Sequence, residues 1–396
     1  MSGFRVLHVT DYASAYEGAF IRQLRMLDDE IRGRGGRPSA LCVTGFALER
    51  PWARQLEDDG WTLVQLPNGA TRTQRHVARA IADAVLEQRP DVVHVHFGTF
   101  DLSARLAMRM LRRQLKGAMP RLVWHYRTAL ETTVEERSFA RRLKDRIKFA
   151  HAGRDVDLFV GVTRALADEV ARRGAPAERC RGIVAGCDTD TFRRDAATRA
   201  RVRESLGLED EDVMVLHMGW SWHRKGGDLL AQAATSLSAL SDPRIVAFSI
   251  GAPPDALLGA VRQLPISERV HEYHQASDIF VSASRSEGFG NGLVEAMACE
   301  RVAVAAMADG QIETFDGIDG VATMPVGDAD ALTDAIRSLV HARASWPSLG
   351  AANRRHVVER HSMRRWARDM ADAYAELHPT RLAAATSVSE HHTEVA

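Results

Sequence analysis

The stretch SEGFGNGLVEAMACE (286–300) sets two glutamates, Glu287 and Glu295, around three glycines, Gly288, Gly290 and Gly292. An apolar run, DIFVSAS (278–284), leads into it. Glycine lets a backbone take positive φ and approach a ligand closely. A helix starting near Asn291 aims its first N–H groups at the same place, which suits a phosphate or another anion. Glu295 falls in the first turns of that helix, where an acid also serves simply to compensate the helix dipole. Glu287 is either a ligand contact or a solvated loop acid.

Other residues with chemical capacity also follow apolar runs. Lys225 stands in GWSWHRKGGD (219–228), after VMVLHMG (213–219). Of the 52 basic residues only Lys116, Lys144, Lys148 and Lys225 are lysine, so a lysine here is either required or a remnant of drift. His125 ends a strand in VWHYR (123–127), as a functional or a packed histidine, and Arg127 after it meets an anion or faces water. Gly18 closes the first loop, DYASAYEGAF (11–20). His94 and His96 share one face of DVVHVHFG (91–98), a spacing that could hold a metal. With no cysteine or acid cluster near them in sequence, the expectation is no metal.

These residues need strands that end where they begin. The pattern predicts strands at 4–10, 37–45, 61–67, 91–98, 121–126 and 157–163, with helices over about 19–34, 73–88, 101–116 and 164–173. It then restarts, with strands at 213–219, 244–251, 278–284 and 301–306 and helices at 226–237, from about 291, and at 331–343. Near-continuous apolar strands alternating with helices imply an α/β fold, two doubly wound parallel sheets covered on both faces. Ligands bind outside the carboxyl ends of such strands. Gly18, His125, Lys225 and Glu287 all lie there, so the expectation is two domains facing across a cleft.

Composition excludes several classes. Formal net charge is +0, which gives no global call for nucleic acid. No apolar stretch approaches the roughly 20 residues of a spanning helix. MSGFRVLHVTDY lacks a basic segment followed by a long apolar one, so a cytoplasmic protein is expected. Cys42, Cys180, Cys187 and Cys299 have no C-x-x-C spacing and read as reduced thiols.

EGFGNGLVEAMA resembles the E-x7-E signature of the retaining glycosyltransferases of family 4, with the GT-B fold of two Rossmann-like domains. The resemblance runs loosely along residues 4–376, and only this motif is highly specific. It implies a nucleotide-sugar donor, held by Glu287, Gly288, Phe289, Gly290, Asn291 and Glu295. Glu287 would contact hydroxyls of the donor sugar and Glu295 those of its ribose, since a carboxylate has two acceptor oxygens for a vicinal diol. GWSWHRKGGD is similar to the family's G-R-x4-K-G stretch: Lys225 and Gly226 match, while Trp220 stands where arginine is usual. Arg224 is the inferred replacement. Lys225 and His125 join Glu287 as implied catalytic residues, and Gly18, where the family has two glycines, as a further donor contact. Fixed cations and helix amides would stabilise the departing nucleoside diphosphate and remove the need for a metal or other cofactor. AGCDTDTF (185–192) is similar to the turn before the second domain, with Ala185 in place of asparagine. SMRRWARDMADAYAEL resembles the helix that crosses back to the first. The expected division is 1–195 acceptor side, 196–360 nucleotide-sugar side, 361–378 crossing helix and 379–396 disordered tail.

Rival readings remain. Two acids are also a hydrolase's acid and nucleophile, although Lys225 and the anion-suited helix point to transfer. A GT-B nucleotide-sugar epimerase or a non-catalytic nucleotide-sugar sensor would use the same site. The acceptor class is open. RSFARRLKDRIKFA (137–150) sets Phe139, Leu143 and Ile147 on one helical face among basic residues, and 101–116 adds Arg105, Arg109, Arg112, Arg113 and Lys116. Such helices either rest on anionic lipid at the inner face of a membrane or pack on a sheet with their charges in water.

Overall fold

The computed structural model describes residues 3–68, 73–130, 138–238, 243–251 and 260–378. The chain divides into two units. Met1–Val184 joins Arg364–Ala396 in one, and Ala185–Met363 forms the other. The expected tail, 379–396, and Arg137 of the basic segment lie outside the described residues.

The first unit is one parallel sheet of β1 (Val6–Val9), β2 (Ala40–Thr44), β3 (Thr62–Leu66), β4 (Val92–His96), β5 (Arg121–Tyr126), β6 (Leu158–Gly161) and β7 (Cys180–Gly182). Their spatial order is β3-β2-β1-β4-β5-β6-β7. Every residue of β1, β2 and β4 is buried, as strands covered on both faces must be. The helix Met363–Leu377 supplies Trp366, Met370, Ala371 and Tyr374 to the same core as Val6, Leu27, Ile31 and Val92. The eight-residue spacing of Trp366 and Tyr374 is thus the spacing of one buried helical face.

The second unit repeats the plan with β8 (Val213–Met218), β9 (Ile245–Ile250), β10 (Val261–Leu264), β11 (Ile279–Ser282), β12 (Val302–Ala306) and β13 (Val321–Met324). All pairings are again parallel, in the order β10-β9-β8-β11-β12-β13. The ends of the unit are tied together. Cys187 bridges Ser362, its N–H donating to His361 O at 2.8 Å while Met363 N–H donates to Cys187 O at 2.8 Å. Gly186 permits this, because a Cβ there would meet Ser362 O at 2.5 Å. In the adjoining turn Asp188 accepts from the N–H groups of Asp190 and Thr191.

The long predicted elements appear within a few residues of their expected ends. Sequence patterning passed over β7, β10 and β13 and the helices Pro51–Asp58, Ala196–Ser205, Val270–Ala276, Asp309–Phe315 and Trp346–Arg360. Those strands have three or four residues, too few to show a period. The last of these helices has little amphipathic contrast, with tryptophan, proline and three arginines spread around it.

Candidate functional site

In each sheet the chain first runs outward one way and then restarts in the middle. The restart lies between β1 and β4 in the first unit and between β8 and β11 in the second. The crevice beyond the carboxyl ends of such a strand pair is where open α/β sheets bind ligands.

Lys225 follows β8 and Glu287 follows β11, and the strand order brings them together. Lys225 Nζ forms an ion pair with Glu287 Oε1, the side chains being 14% and 8% exposed. Ser284 Oγ donates to the same Oε1 at 2.7 Å. Lys225 is fixed from below, since its carbonyl is 3.0 Å from His217 Nε2, whose Nδ1 is 2.9 Å from Ser249 Oγ. Burial, with the Lys225 cation close by, draws His217 down to about 4, so this imidazole is neutral. Gly226 then turns the chain into the helix Gly227–Leu237 at φ +73, where a Cβ would stand 2.1 Å from Ala283 O. That close approach joins the Lys225 loop to the end of β11.

The Glu287 loop is held by a second pair. Arg285 donates to both oxygens of Asp228 at 2.8 Å. Burial raises the Asp228 carboxyl, but Arg285 outweighs it and holds the group below the ordinary range. Gly310 packs against the loop from β12's side, its α-carbon so placed that a Cβ would lie 1.9 Å from Glu287 O. Gly288 and Phe289 are buried, and Phe289 meets His361 edge-on at 5.9 Å. Gly290 has φ +85 and begins the helix Asn291–Ala298, which has no side-chain N-cap. Asn291 is exposed at that end, and Glu295 lies 3.5 Å from His274 Nε2.

Arg224 is exposed. Its Nη1 donates at 3.1 Å to the carbonyl of Ser286, the residue before Glu287. Trp220 is 43% exposed, with Lys225 Nζ 5.8 Å from its ring centre. Sequence reasoning missed Ser284, His217, Asp228, Arg285, Gly310 and His274. Only the serine had a usable signal, in its position three residues before the glutamate.

In the first unit Gly18 has φ +60, and the turn before it hangs on Tyr12 Oη, which donates to Tyr16 O and Glu17 O at 3.1 and 3.0 Å. His125 is 1% exposed and belongs to an imidazole cluster. His8 pairs in register with His94, and His96 with His125, so four rings share one face at the ends of β1, β4 and β5. His8 Nδ1 is 3.1 Å from His96 Nε2, and His94 Nε2 is 3.1 Å from His125 Nδ1. Burial, then the neighbouring rings and Arg127, pushes all four below their ordinary range, His8 to about 3. Ring nitrogens of His8, His94 and His96 lie within 4.8 Å of one another, the group among the described residues arranged to ligate a metal. Arg127 Nε donates to His96 Nδ1 at 3.2 Å, placing a cation where a second cation would have to sit. His125 Nε2 is buried without a hydrogen-bond partner among the described residues.

Two family models divide the chain. Glycosyltransferase Family 4 matches residues 42–191, and Glycosyl transferases group 1 matches 212–342. A GDP-mannose-dependent alpha-(1-6)-phosphatidylinositol monomannoside mannosyltransferase of Mycolicibacterium smegmatis is 29% identical over 52% of this chain and 59% of its own. A D-inositol 3-phosphate glycosyltransferase of Catenulispora acidiphila is 31% identical over 51% of this chain and 53% of its own. The aligned region therefore spans little more than half the length of either relative. Among solved structures, a glycosyltransferase from Rickettsia africae covers 96% of this chain and 100% of its own, at TM-score 0.77 and 15% identity. An Anabaena protein in complex with UDP and glucose covers 94% and 99%, at TM-score 0.74 and 18% identity. The fold is GT-B.

Proposed function

We propose that this chain, a GT-B protein whose two halves match glycosyltransferase family models, transfers a sugar from a nucleotide-sugar donor with retention of configuration. The observation that carries the reading is the Lys225–Glu287 pair at the β8/β11 restart, beside the uncapped helix Asn291–Ala298. The bond to break joins sugar C1 to a β-phosphate oxygen. The nucleoside diphosphate leaves with the electron pair, and an acceptor hydroxyl attacks C1 on the same face while its proton passes to the departing phosphate. Negative charge grows on that phosphate, and Lys225 with the helix N–H groups stabilises it. Glu287, already held by Ser284, turns toward the sugar hydroxyls as Lys225 moves onto phosphate. Glu295 takes the ribose, and Gly288, Phe289, Gly290 and Asn291 shape the loop around the donor. In the first unit, Gly18 and His125 keep the roles that the resemblance implies.

The proposed transfer runs without a divalent metal, since the cations needed are already in the protein. Names of the relatives put inositol phosphates first among acceptors to try. A thermal-shift panel of UDP-, GDP-, ADP- and dTDP-sugars finds the donor, because a binder stabilises the native state according to its occupancy. Product analysis by NMR then decides retention, and activity after EDTA treatment decides the metal. An inverted product, or activity that returns only with Mg²⁺, would sink those two parts separately. Binding without turnover across the acceptor panel would favour the sensor, and donor isomerisation without an acceptor would favour the epimerase.

No helix among the described residues is long and apolar enough to cross a membrane. Contact with an anionic surface is proposed for the helix Phe139–Ala152, where Phe139, Leu143 and Ile147 are 76%, 49% and 53% exposed among basic side chains. The other basic helix is less suited, because Arg105, Arg109 and Arg112 all converge on Asp155. Co-sedimentation with anionic vesicles, compared between wild type and Leu143→Glu/Ile147→Glu, tests the contact.

A further inference from the structure

At the opposite ends of β11 and β12 from Lys225 and Glu287 lies a cavity of about 270 Å³, lined by Arg194, Arg199, Arg301, Arg343, Trp346 and Glu300 among others. β11 is four residues long, which at ~3.3 Å per residue sets the two places roughly 13 Å of strand apart. The cavity lies wholly within the second unit.

Its charges do not cancel. Arg301, just before β12, is 9% exposed and donates only to carbonyl groups, Cys299 O at 2.7 Å and Ser277 O at 3.0 Å. Among the described residues no carboxylate lies within ion-pair distance of it, and Asp278, whose charge it feels, is already paired with two other guanidiniums. Burial, then the neighbouring Arg199 cation, lowers Arg301 to about 10, so it stays charged at neutral pH. Asp278 serves two guanidiniums at once, Arg199 at 2.6 Å and Arg203 at 2.9 Å. Glu300 meets Arg194 only loosely, at 3.7 Å. Arg343 holds Glu211 and Asp210 O on the outside, with its guanidinium 5.6 Å from the Trp346 ring centre. A nearly buried cation that must share a distant, already paired carboxylate is unfavourable unless something supplies a further anion.

We propose that this cavity is a second ligand site, separate from the donor site, for a phosphate monoester such as a sugar phosphate. The guanidinium forks of Arg301, Arg199 and Arg194 would take the phosphate oxygens, which accept paired N–H donors. Trp346 and Pro347 form the less polar wall against which a sugar ring lies. A dianion cancels the excess that Arg301 leaves, while a neutral sugar does not. Binding should therefore follow charge.

Isothermal titration of the full chain with glucose 6-phosphate, inorganic phosphate and glucose tests this. Wild type should bind both phosphates in the millimolar range or tighter and ignore glucose. Lys225→Ala, which strips the donor site of its cation, should bind them equally well. Arg194→Glu/Arg343→Glu reverses the two more exposed arginines and should weaken binding about ten-fold or more. Should that double variant misfold by circular dichroism, Arg194→Glu alone, at a side chain 65% exposed, is the reporter. Absence of binding to wild type, loss of binding in Lys225→Ala, or full binding in the charge-reversed variant would each overturn the proposal.

Discussion

The two sheets share the order of their first six strands and differ in what stands at their carboxyl ends. In the first unit that place holds four buried imidazoles and Arg127, to which no carboxylate is paired among the described residues. In the second it holds a lysine and a glutamate, paired to each other and partly open to solvent. One topology thus supports desolvated, neutral imidazoles around an arginine in one place and a cancelling ion pair in the other. A lysine and a glutamate already neutralised can exchange partners when a diphosphate arrives, at little net charge cost. An imidazole held neutral by burial can accept or donate a hydrogen bond without carrying charge.

Removing Lys225 breaks the comparison most sharply, because it leaves the second site acidic. Loss of a fixed donor to a developing oxyanion costs about 2.7–4 kcal/mol, roughly 100- to 1,000-fold in turnover. Lys225→Ala should fall in that range at saturating donor, and Lys225→Ala/Glu287→Gln should not be additive, since the two residues share one contact. Steady-state kinetics on the four forms checks it. Additive losses would mean the ion pair is incidental to the chemistry.

The next effect concerns the imidazoles. Their folded-state pKa values lie below the usual 6.5, His8 at about 3. The unfolded chain therefore binds more protons than the folded one between about pH 6.5 and 3, and stability falls with falling pH across that window. Each such histidine costs up to ~1.4 kcal/mol per pH unit there. Asp101, raised by burial to about 6, works the other way between pH 6 and 4 and offsets part of the loss. The urea midpoint should drop from pH 7.5 to 5, and His8→Gln should flatten the drop. An unchanged slope in that variant would place the acid sensitivity elsewhere, His217 in the second unit being the next candidate.

Sequence showed one half of this contrast well and the other poorly. Glu287, Lys225 and the glycines were legible because a turn that must bring backbone close to backbone restricts residue type at fixed spacing, as Gly226 and Gly290 do. The strand run DIFVSAS gave the position of β11, and VMVLHMG that of β8. Nothing in either run says that they are neighbours, because adjacency is set by strand order and not by periodicity. The Lys225–Glu287 pair follows from that adjacency and was therefore read as two separate contacts. The imidazole cluster has the same cause. His94 and His96 were visible as an alternating pair, but His8 and His125 join them only through the β1-β4-β5 order. His125, proposed as a site residue on the resemblance, is 1% exposed, its ring beside those of His94 and Trp366.

Glu295 should give a smaller and different effect. It is buried in the first turns of its helix, near His274, and it is assigned to the ribose, remote from the bond that breaks. A contact that holds substrate and transition state alike changes binding and not turnover. Glu295→Gln should raise donor KM several-fold with kcat nearly unchanged. A loss confined to kcat would move this residue to the reacting centre.

The smallest effect is expected at Arg224, and it bears on the position where Trp220 replaces an arginine. Arg224 is exposed, and its Nη1 is spent on Ser286 O at 3.1 Å. Its charge stands next to the Glu287 loop and in a high-dielectric setting, where a unit charge acts weakly. To reach phosphate it must leave that carbonyl, so part of any gain goes to replacing a bond already made. Arg224→Ala should therefore lower turnover by only a few-fold, far less than Lys225→Ala. Arg224 also braces Ser286, so a looser loop and a missing charge both enter the loss. Arg224→Lys separates the two: lysine keeps the cation and gives up the guanidinium fork. If the lysine variant restores turnover and raising the salt concentration removes the difference, Arg224 acts by charge. If it behaves like alanine at every salt concentration, Arg224 serves only to hold the loop. The second site then rests on Lys225 and the helix N–H groups for its positive charge.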